Sequence, residues 1–264
     1  RNNMSIIENT IIENTLLLTL NNPEKRNSMI PGFHDEFQES IRMAEENKDI
    51  YSIVITGAGG FFCAGGDLNS LKTRRIMTED ERYKSLNNLN GTIKSIHNCS
   101  KPVIAAIEGG AAGAGVSLAM ACDMVVMSEH TFLSLAYVKI GLTPDGAATK
   151  FLADTMPRQL LSEMAMLGGK IASSRLFQIG AVNVLSQKGK AKDDALEMCK
   201  NFANLPKNSI SRIKKLTQSA YSNTFDNQLK LETDFMVISQ GDNESIEGID
   251  AFLEKRTSNF KKLR

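Results

Sequence analysis

Two short apolar runs, Val103–Ile107 and Met124–Met127, flank Gly109–Cys122, a stretch of small residues that turns from glycine-rich loop to helix-forming sequence at about Ala114. Apolar runs this short, bounded by turn residues, read as buried strands. Strands joined through a helix run parallel, because a tight turn can connect only antiparallel neighbours. Parallel sheets are covered on both faces, so their strands are apolar throughout rather than alternating. Tyr51–Thr56 (YSIVIT) is another such run, stopped by Gly57-Ala58-Gly59-Gly60. Ile11–Leu20, rich in Ile, Leu and Thr, reads as one strand closed by the turn Asn21-Asn22-Pro23. Pro31 suits the first turn of a helix that carries Phe33, Phe37, Ile41 and Ala44 at helical spacing. Strands alternating with helices predict an α/β domain.

The strand signal ends near Ala191. Asp193–Leu205, Ser209–Ser222, Phe225–Ser239 and Ser245–Lys255 read as amphipathic helices, and Asn204–Asn208, with Pro206, reads as a hinge. We therefore expect a core over residues 1–203 and a helical segment over 204–264 that packs on the core or on a neighbouring subunit. Lys and Arg number 31 against 30 Asp and Glu, so no overall field favours nucleic acid or an anionic membrane. An anionic ligand must be held locally. Cys63, Cys99, Cys122 and Cys199 lack CxxC spacing, and His34, His97 and His130 lack metal spacing; reduced thiols and no metal are expected. There is no apolar run of about 18 residues to span a membrane. Arg1–Ser5 lacks the apolar segment of a signal peptide, so the expected setting is cytoplasmic.

Two turns follow buried strands and leave main-chain N–H groups near a strand end: Phe62-Cys63-Ala64-Gly65-Gly66-Asp67-Leu68, and Gly109–Leu118. Small residues let a ligand approach the main chain, and the first amides of a helix have no intrahelical acceptor. Such amides attract developing negative charge. Either loop alone is equally explained by close helix–sheet packing. Neither carries G-x-G-x-x-G, and Gly168-Gly169-Lys170 is not a P-loop. Cys63 reads as small apolar packing, with a Cys–His nucleophile as the alternative.

Taken together, six ordered segments carry a family resemblance. FCAGGDL (Phe62–Leu68) and KPVIAAIEGGAAGAGVSLAMACDMVVMSE (Lys101–Glu129) resemble the two signatures of the crotonase superfamily, the enoyl-CoA hydratase/isomerase proteins. NPEKRNSM (Asn22–Met29), IGLTPDGAATKFL (Ile140–Leu152), GAVNVL (Gly180–Leu185) and EGIDAFLEKR (Glu247–Arg256) match in the expected order. The resemblance implies a crotonase-type spiral of stacked ββα units followed by a helical C-terminal segment, assembled as a homotrimer or hexamer. It implies an acyl-CoA thioester as ligand, with coenzyme A part of the substrate and no separate cofactor. By motif, the thioester oxygen would lie between the N–H groups of Gly66 and Ala114. Lys25 or Arg26 would lie near the CoA phosphates, unless they form a solvated turn. Ala64, Asp67 and Leu68 would line the adenine and pantetheine path. Phe252 and Lys255 would reach the CoA of the same or a neighbouring subunit, unless they serve a helical subunit contact.

Hydratases of this family use two glutamates; the matching positions here are Ser117 and Tyr137, and neither is a carboxylate. Asp145, in Thr143-Pro144-Asp145-Gly146, matches the acidic position of the Δ3,Δ2-enoyl-CoA isomerases. Moving a double bond needs one base, so the resemblance implies an isomerase with Asp145 as base; the bland alternative is an Asp-Gly turn. Tyr137 and Ser117 are read as holding substrate or water, or as packing. Other expectations compatible with the same signatures are a hydrolase, a lyase or a non-catalytic acyl-CoA binder. Met77–Leu89 reads as part of the acyl pocket or a mobile cover.

Overall fold

A computed structural model describes residues 5–264; the signal-peptide reading of the N-terminus falls largely on Arg1–Met4, outside the described residues. In chain order the strands are β1 (Ile7–Ile12), β2 (Thr15–Leu20), β3 (Ser52–Gly57), β4 (Val103–Ile107), β5 (Ala111–Ala112), β6 (Met124–Ser128), β7 (Phe132–Ser134), β8 (Lys170–Ala172) and β9 (Val184–Ser186). The helices are α1 (Phe33–Glu46), α2 (Leu68–Arg74), α3 (Glu79–Asn98), α4 (Ala114–Met120), α5 (Ala148–Ala153), α6 (Arg158–Leu167), α7 (Ser173–Gln178), α8 (Ala191–Lys200), α9 (Lys207–Ser219), α10 (Phe225–Gln240) and α11 (Asn243–Leu253).

The larger sheet has the order β1-β2-β3-β4-β6-β9, parallel except for the β1–β2 pair. The smaller sheet is β5-β7-β8. The expected parallel α/β core is therefore present, with one correction. Ile11–Leu20 is not one strand: Glu13 turns at φ 52 and the segment belongs to the β1–β2 hairpin. Glutamate is an uncommon residue for that backbone region, and Asn14 beside it is a single turn residue within an otherwise strand-like run.

Side-chain alternation sends the central strands to two cores. Leu16, Leu18, Leu20, Ile53, Ile55, Ala105 and Ile107 pack with Phe33, Phe37 and Ile41 of α1 and Ile96 of α3. Leu17, Val54, Ile104, Ala106 and Val126 face Ala191, Ala195 and Cys199 of α8. This two-sided burial is why the strands read as unbroken apolar runs. The Asp193–Leu205 helix is corrected in its bounds, since α8 starts at Ala191 and a 3-10 turn, Asn201–Asn204, ends it.

Met77–Leu89, the segment read as part of the acyl pocket or a mobile cover, leads into α3. Thr78 caps α3 with a reciprocal Thr78–Glu81 capping box, so the segment continues as ordered helix. Its far end is buried at Leu89.

Beyond residue 203 the chain is helical. Lys214 of α9 forms an ion pair with Asp123 at 2.8 Å. It also donates to the main-chain oxygens of Ile96 and Lys101, each at 3.1 Å. Helix α10 buries none of its residues against the rest of the chain. Among the described residues, no helix is long and apolar enough to cross a membrane.

Candidate active site

The two small-residue loops are joined through main chain. Ala112 N–H donates to the Cys63 carbonyl at 3.0 Å, and Met29 N–H donates to the Gly65 carbonyl at 2.8 Å. A Cβ at Gly115 would lie 2.3 Å from Cys63 O, and one at Gly65 would lie 3.0 Å from Ala114 N. Glycine is needed at both positions to let the loops meet. Among the described residues, neither Gly66 N–H nor Ala114 N–H donates to a main-chain acceptor outside regular structure. Ala114 is the first residue of α4, where an amide has no intrahelical acceptor.

Asn27, which sequence reasoning passed over, pins the first loop. It is 1% exposed, and its Nδ2 donates to the carbonyls of Ala58 at 2.9 Å and Phe61 at 2.6 Å. Its Oδ1 accepts from Asn22 N–H at 2.8 Å. The signal lay inside NPEKRNSM, but a polar residue in a turn looks like any other until its partners are known. Cys63 is fully buried, its Sγ donates to the Asn27 carbonyl at 3.1 Å, and burial pushes its thiol up to about 12. That makes it packing rather than a nucleophile, since the thiolate is the reactive form.

Asp145 lies opposite the second loop. Its Oδ1 accepts from the Tyr137 hydroxyl at 2.6 Å, and its main-chain oxygen accepts from Ser117 Oγ at 2.8 Å. Ser117 is fully buried on α4, and Tyr137 is buried in the 3-10 turn Ala136–Ile140. Gly146, at φ 58, follows the carboxylate, and a Cβ there would lie 2.9 Å from the Ser117 Cβ and 3.4 Å from Leu89 Cδ2. Thus Asp145-Gly146 is a turn, but one whose glycine is required by packing of α3 and α4 against it. A Cβ at Gly113 would lie 3.9 Å from the Tyr137 hydroxyl oxygen, so the Asp145–Tyr137 pair adjoins the start of α4.

Burial raises the affinity of the Asp145 carboxyl for a proton, opposed by the Tyr137 hydrogen bond and then by the Arg74 charge. Burial, assisted by the Asp145 charge, likewise pushes the Tyr137 hydroxyl upward, so it stays a donor. Arg74, at the end of α2, was not singled out from the sequence, where it sits in an ordinary basic run. Its charge acts on Asp145 and on His34, whose imidazole is held near 4 mainly by burial.

The other candidate residues are more dispersed. Asp67 caps α2, accepting from Ser70 N–H at 2.9 Å, and pairs with Lys25 at 3.4 Å, so its carboxylate is engaged within the protein. Arg26 lies over the Phe61 ring at 5.5 Å. Ala64 is half-buried within the first loop, while Leu68, at the start of α2, is exposed. Phe252 and Lys255 are exposed at the end of the helical segment. Among the described residues, no cluster of His, Cys, Asp or Glu could hold a metal ion.

The family model for enoyl-CoA hydratase/isomerase matches residues 10–263. The 1,2-epoxyphenylacetyl-CoA isomerase of Escherichia coli (strain K12) is 31% identical over 97% of this chain and 98% of its own. The 2,3-dehydroadipyl-CoA hydratase of the same organism is 29% identical over 94% of this chain and 96% of its own. A crystal structure of an enoyl-CoA hydratase from Polaromonas sp. JS666 superposes with a TM-score of 0.92 at 42% identity, covering 96% of this chain and 98% of that one.

Proposed function

The chain belongs to the enoyl-CoA hydratase/isomerase family and has its crotonase fold, and from that premise we propose that it moves the double bond of a 3-enoyl-CoA into conjugation, giving the 2-enoyl-CoA. The Asp145 carboxylate takes the α-proton; the C–H bond breaks and its electron pair passes into the thioester, forming an enolate. The negative oxygen is held by Gly66 N–H and Ala114 N–H, and one such donor is typically worth about 10²–10³ in rate. The same carboxyl returns the proton at the γ carbon, the carbonyl re-forms, and the double bond comes to rest beside it. No water is consumed.

The observation that carries this reading is the donor set around a single carboxylate. Two-glutamate hydration would want carboxylates at 117 and 137; those positions hold hydroxyls, and both donate to Asp145. The Escherichia coli relative is named an isomerase too, though of an epoxyphenylacetyl-CoA rather than of an enoyl-CoA. Other relatives are named hydratases, and the hydroxyls at 117 and 137 argue against water addition here. An assay with a medium-chain trans-3-enoyl-CoA, following the absorbance of the conjugated thioester, should show a rise, with hydration of a 2-enoyl-CoA much slower. Binding of acyl-CoA without that rise would replace the isomerase reading by another acyl-CoA reaction or by a binding role.

On this reading, Lys25 or Arg26 faces the CoA phosphates and Ala64 and Leu68 line the adenine and pantetheine path, while Asp67 holds Lys25 and the start of α2. The assembly is a homotrimer or hexamer formed through the helical segment of residues 204–264, where Phe252 and Lys255 reach a neighbouring subunit's CoA. In support, α10 and α11 leave the large apolar side chains Phe225, Met236, Val237, Ile249 and Phe252 more than half exposed. Sedimentation equilibrium should give a trimer or hexamer rather than the 29.0 kDa chain. A monomer at micromolar concentration would remove this assembly.

A further inference from the structure

We propose that Tyr137 is a positioning residue for the reaction: its hydroxyl occupies Asp145 Oδ1, orients the carboxyl, and leaves Oδ2 as the oxygen that moves the proton. The inference rests on the isomerase reading for its role in turnover, but its geometry stands apart from it. Tyr137 Oη lies 2.6 Å from Oδ1, a short bond of the kind formed to an ionised acceptor. The ring is buried, so the hydroxyl cannot swing out to solvent. Ser117 fixes the other end of the same residue by donating to its main-chain oxygen at 2.8 Å. The two hydroxyls therefore hold the aspartate by side chain and backbone at once. With Oδ1 engaged, proton abstraction and return both fall to Oδ2, so the proton is taken and delivered by one atom without rotation of the carboxyl.

The groups facing Asp145 from each packed element limit what else could set its titration. The Ala136–Ile140 turn supplies Tyr137, α2 supplies the Arg74 charge, α4 supplies the Ser117 hydroxyl, and α3 places apolar Leu89 beside the adjoining Gly146. Tyr137 donates to the charged form of the carboxylate, so its removal must raise the pH at which Asp145 ionises. A hydrogen bond to a charged group is worth enough to move that midpoint by about one to two pH units.

The experiment titrates the Asp145 carboxyl by carbon-13 NMR in the full chain, assigned by loss of its signal in Asp145→Asn, and compares the parent with Tyr137→Phe. The midpoint should rise by about one to two units in Tyr137→Phe, and the acidic limb of the 3-enoyl-CoA rate profile should move upward with it. A purely structural tyrosine would lower the folded fraction and leave the midpoint in place; a midpoint unchanged within about 0.3 unit overturns the proposal. A shifted midpoint without isomerase turnover keeps this arrangement and removes the isomerase reading instead. If Tyr137→Phe fails to fold, the Tyr137 Cζ resonance of the parent is followed. It should titrate with the Asp145 midpoint, and a flat response would overturn the pairing.

Discussion

Asp145→Asn is expected to lower 3-enoyl-CoA isomerisation by about 10²–10⁴-fold, the usual contribution of a general base. Asparagine keeps the shape and can still accept from the Tyr137 hydroxyl through Oδ1, so the neighbourhood should remain packed. Affinity for the CoA thioester should stay within about twofold, because an interaction that matters only in the transition state lowers kcat and kcat/KM together. The stability expectation has the opposite sign. The folded state raises Asp145 above its ordinary carboxylate value, chiefly through burial. Such a group lends stability only at low pH and loses it as pH rises through the raised value. At neutral pH the buried charge is a cost, so the variant should melt at or above the parent's temperature. A variant that is dead and also markedly less stable would make Asp145 a structural residue. One with full turnover would exclude it as the base.

Lys214→Met is expected to cost about 3–5 kcal/mol, because removing one partner of a buried ion pair leaves the other uncompensated. Lys214 is 6% exposed, and burial already raises the proton affinity of Asp123 against the opposing Lys214 charge. The ammonium also serves two carbonyls, including that of Ile96 in the last turn of α3, where a cation is favoured by the helix dipole. Its loss therefore leaves the carboxylate with the Val103 N–H, 2.8 Å away, and strips two acceptors. For a chain of this size the melting temperature should fall by roughly 6–20 °C. Adding Asp123→Asn to Lys214→Met should recover part of the loss, since the unpaired buried charge is gone. Because Lys214 is where α9 meets the core, limited proteolysis should cut first within residues 204–264 in the single variant. Melting within about 2 °C of the parent would show that the pair carries little net stability.

The two readings of Lys214 illustrate what the chain order could and could not convey. As a sequence feature it is a basic residue in a basic amphipathic helix, indistinguishable from Lys215 beside it. In the fold, Lys214 is almost fully buried and meets Asp123. The same holds for Arg74, whose effect on Asp145 depends on where α2 ends relative to a turn far along the chain. By contrast, Gly65, Gly115 and Gly146 were legible as special because glycine marks close approach or positive φ wherever it falls. Their partners, Ala114, Cys63 and Ser117, explain why no larger residue fits.

Local side-chain pattern was enough for the class of the core, the small-residue loops and the helical character of the last third. These follow from local chemistry: side-chain periodicity, the conformational freedom of glycine and the apolar composition of strands buried on both faces. The family signatures also pointed to Asp145 and away from positions 117 and 137 as carboxylates. The packed fold was needed to see that β1 and β2 form a hairpin, that Met77–Leu89 leads into a capped helix, and that Asp67 serves its own helix and Lys25. It alone brought Ser117 to the Asp145 carbonyl across 28 residues of chain and placed the Tyr137 hydroxyl on Oδ1. Hydrogen bonds between distant residues depend on how helices and turns pack, and packing leaves no local periodicity from which such partners can be read.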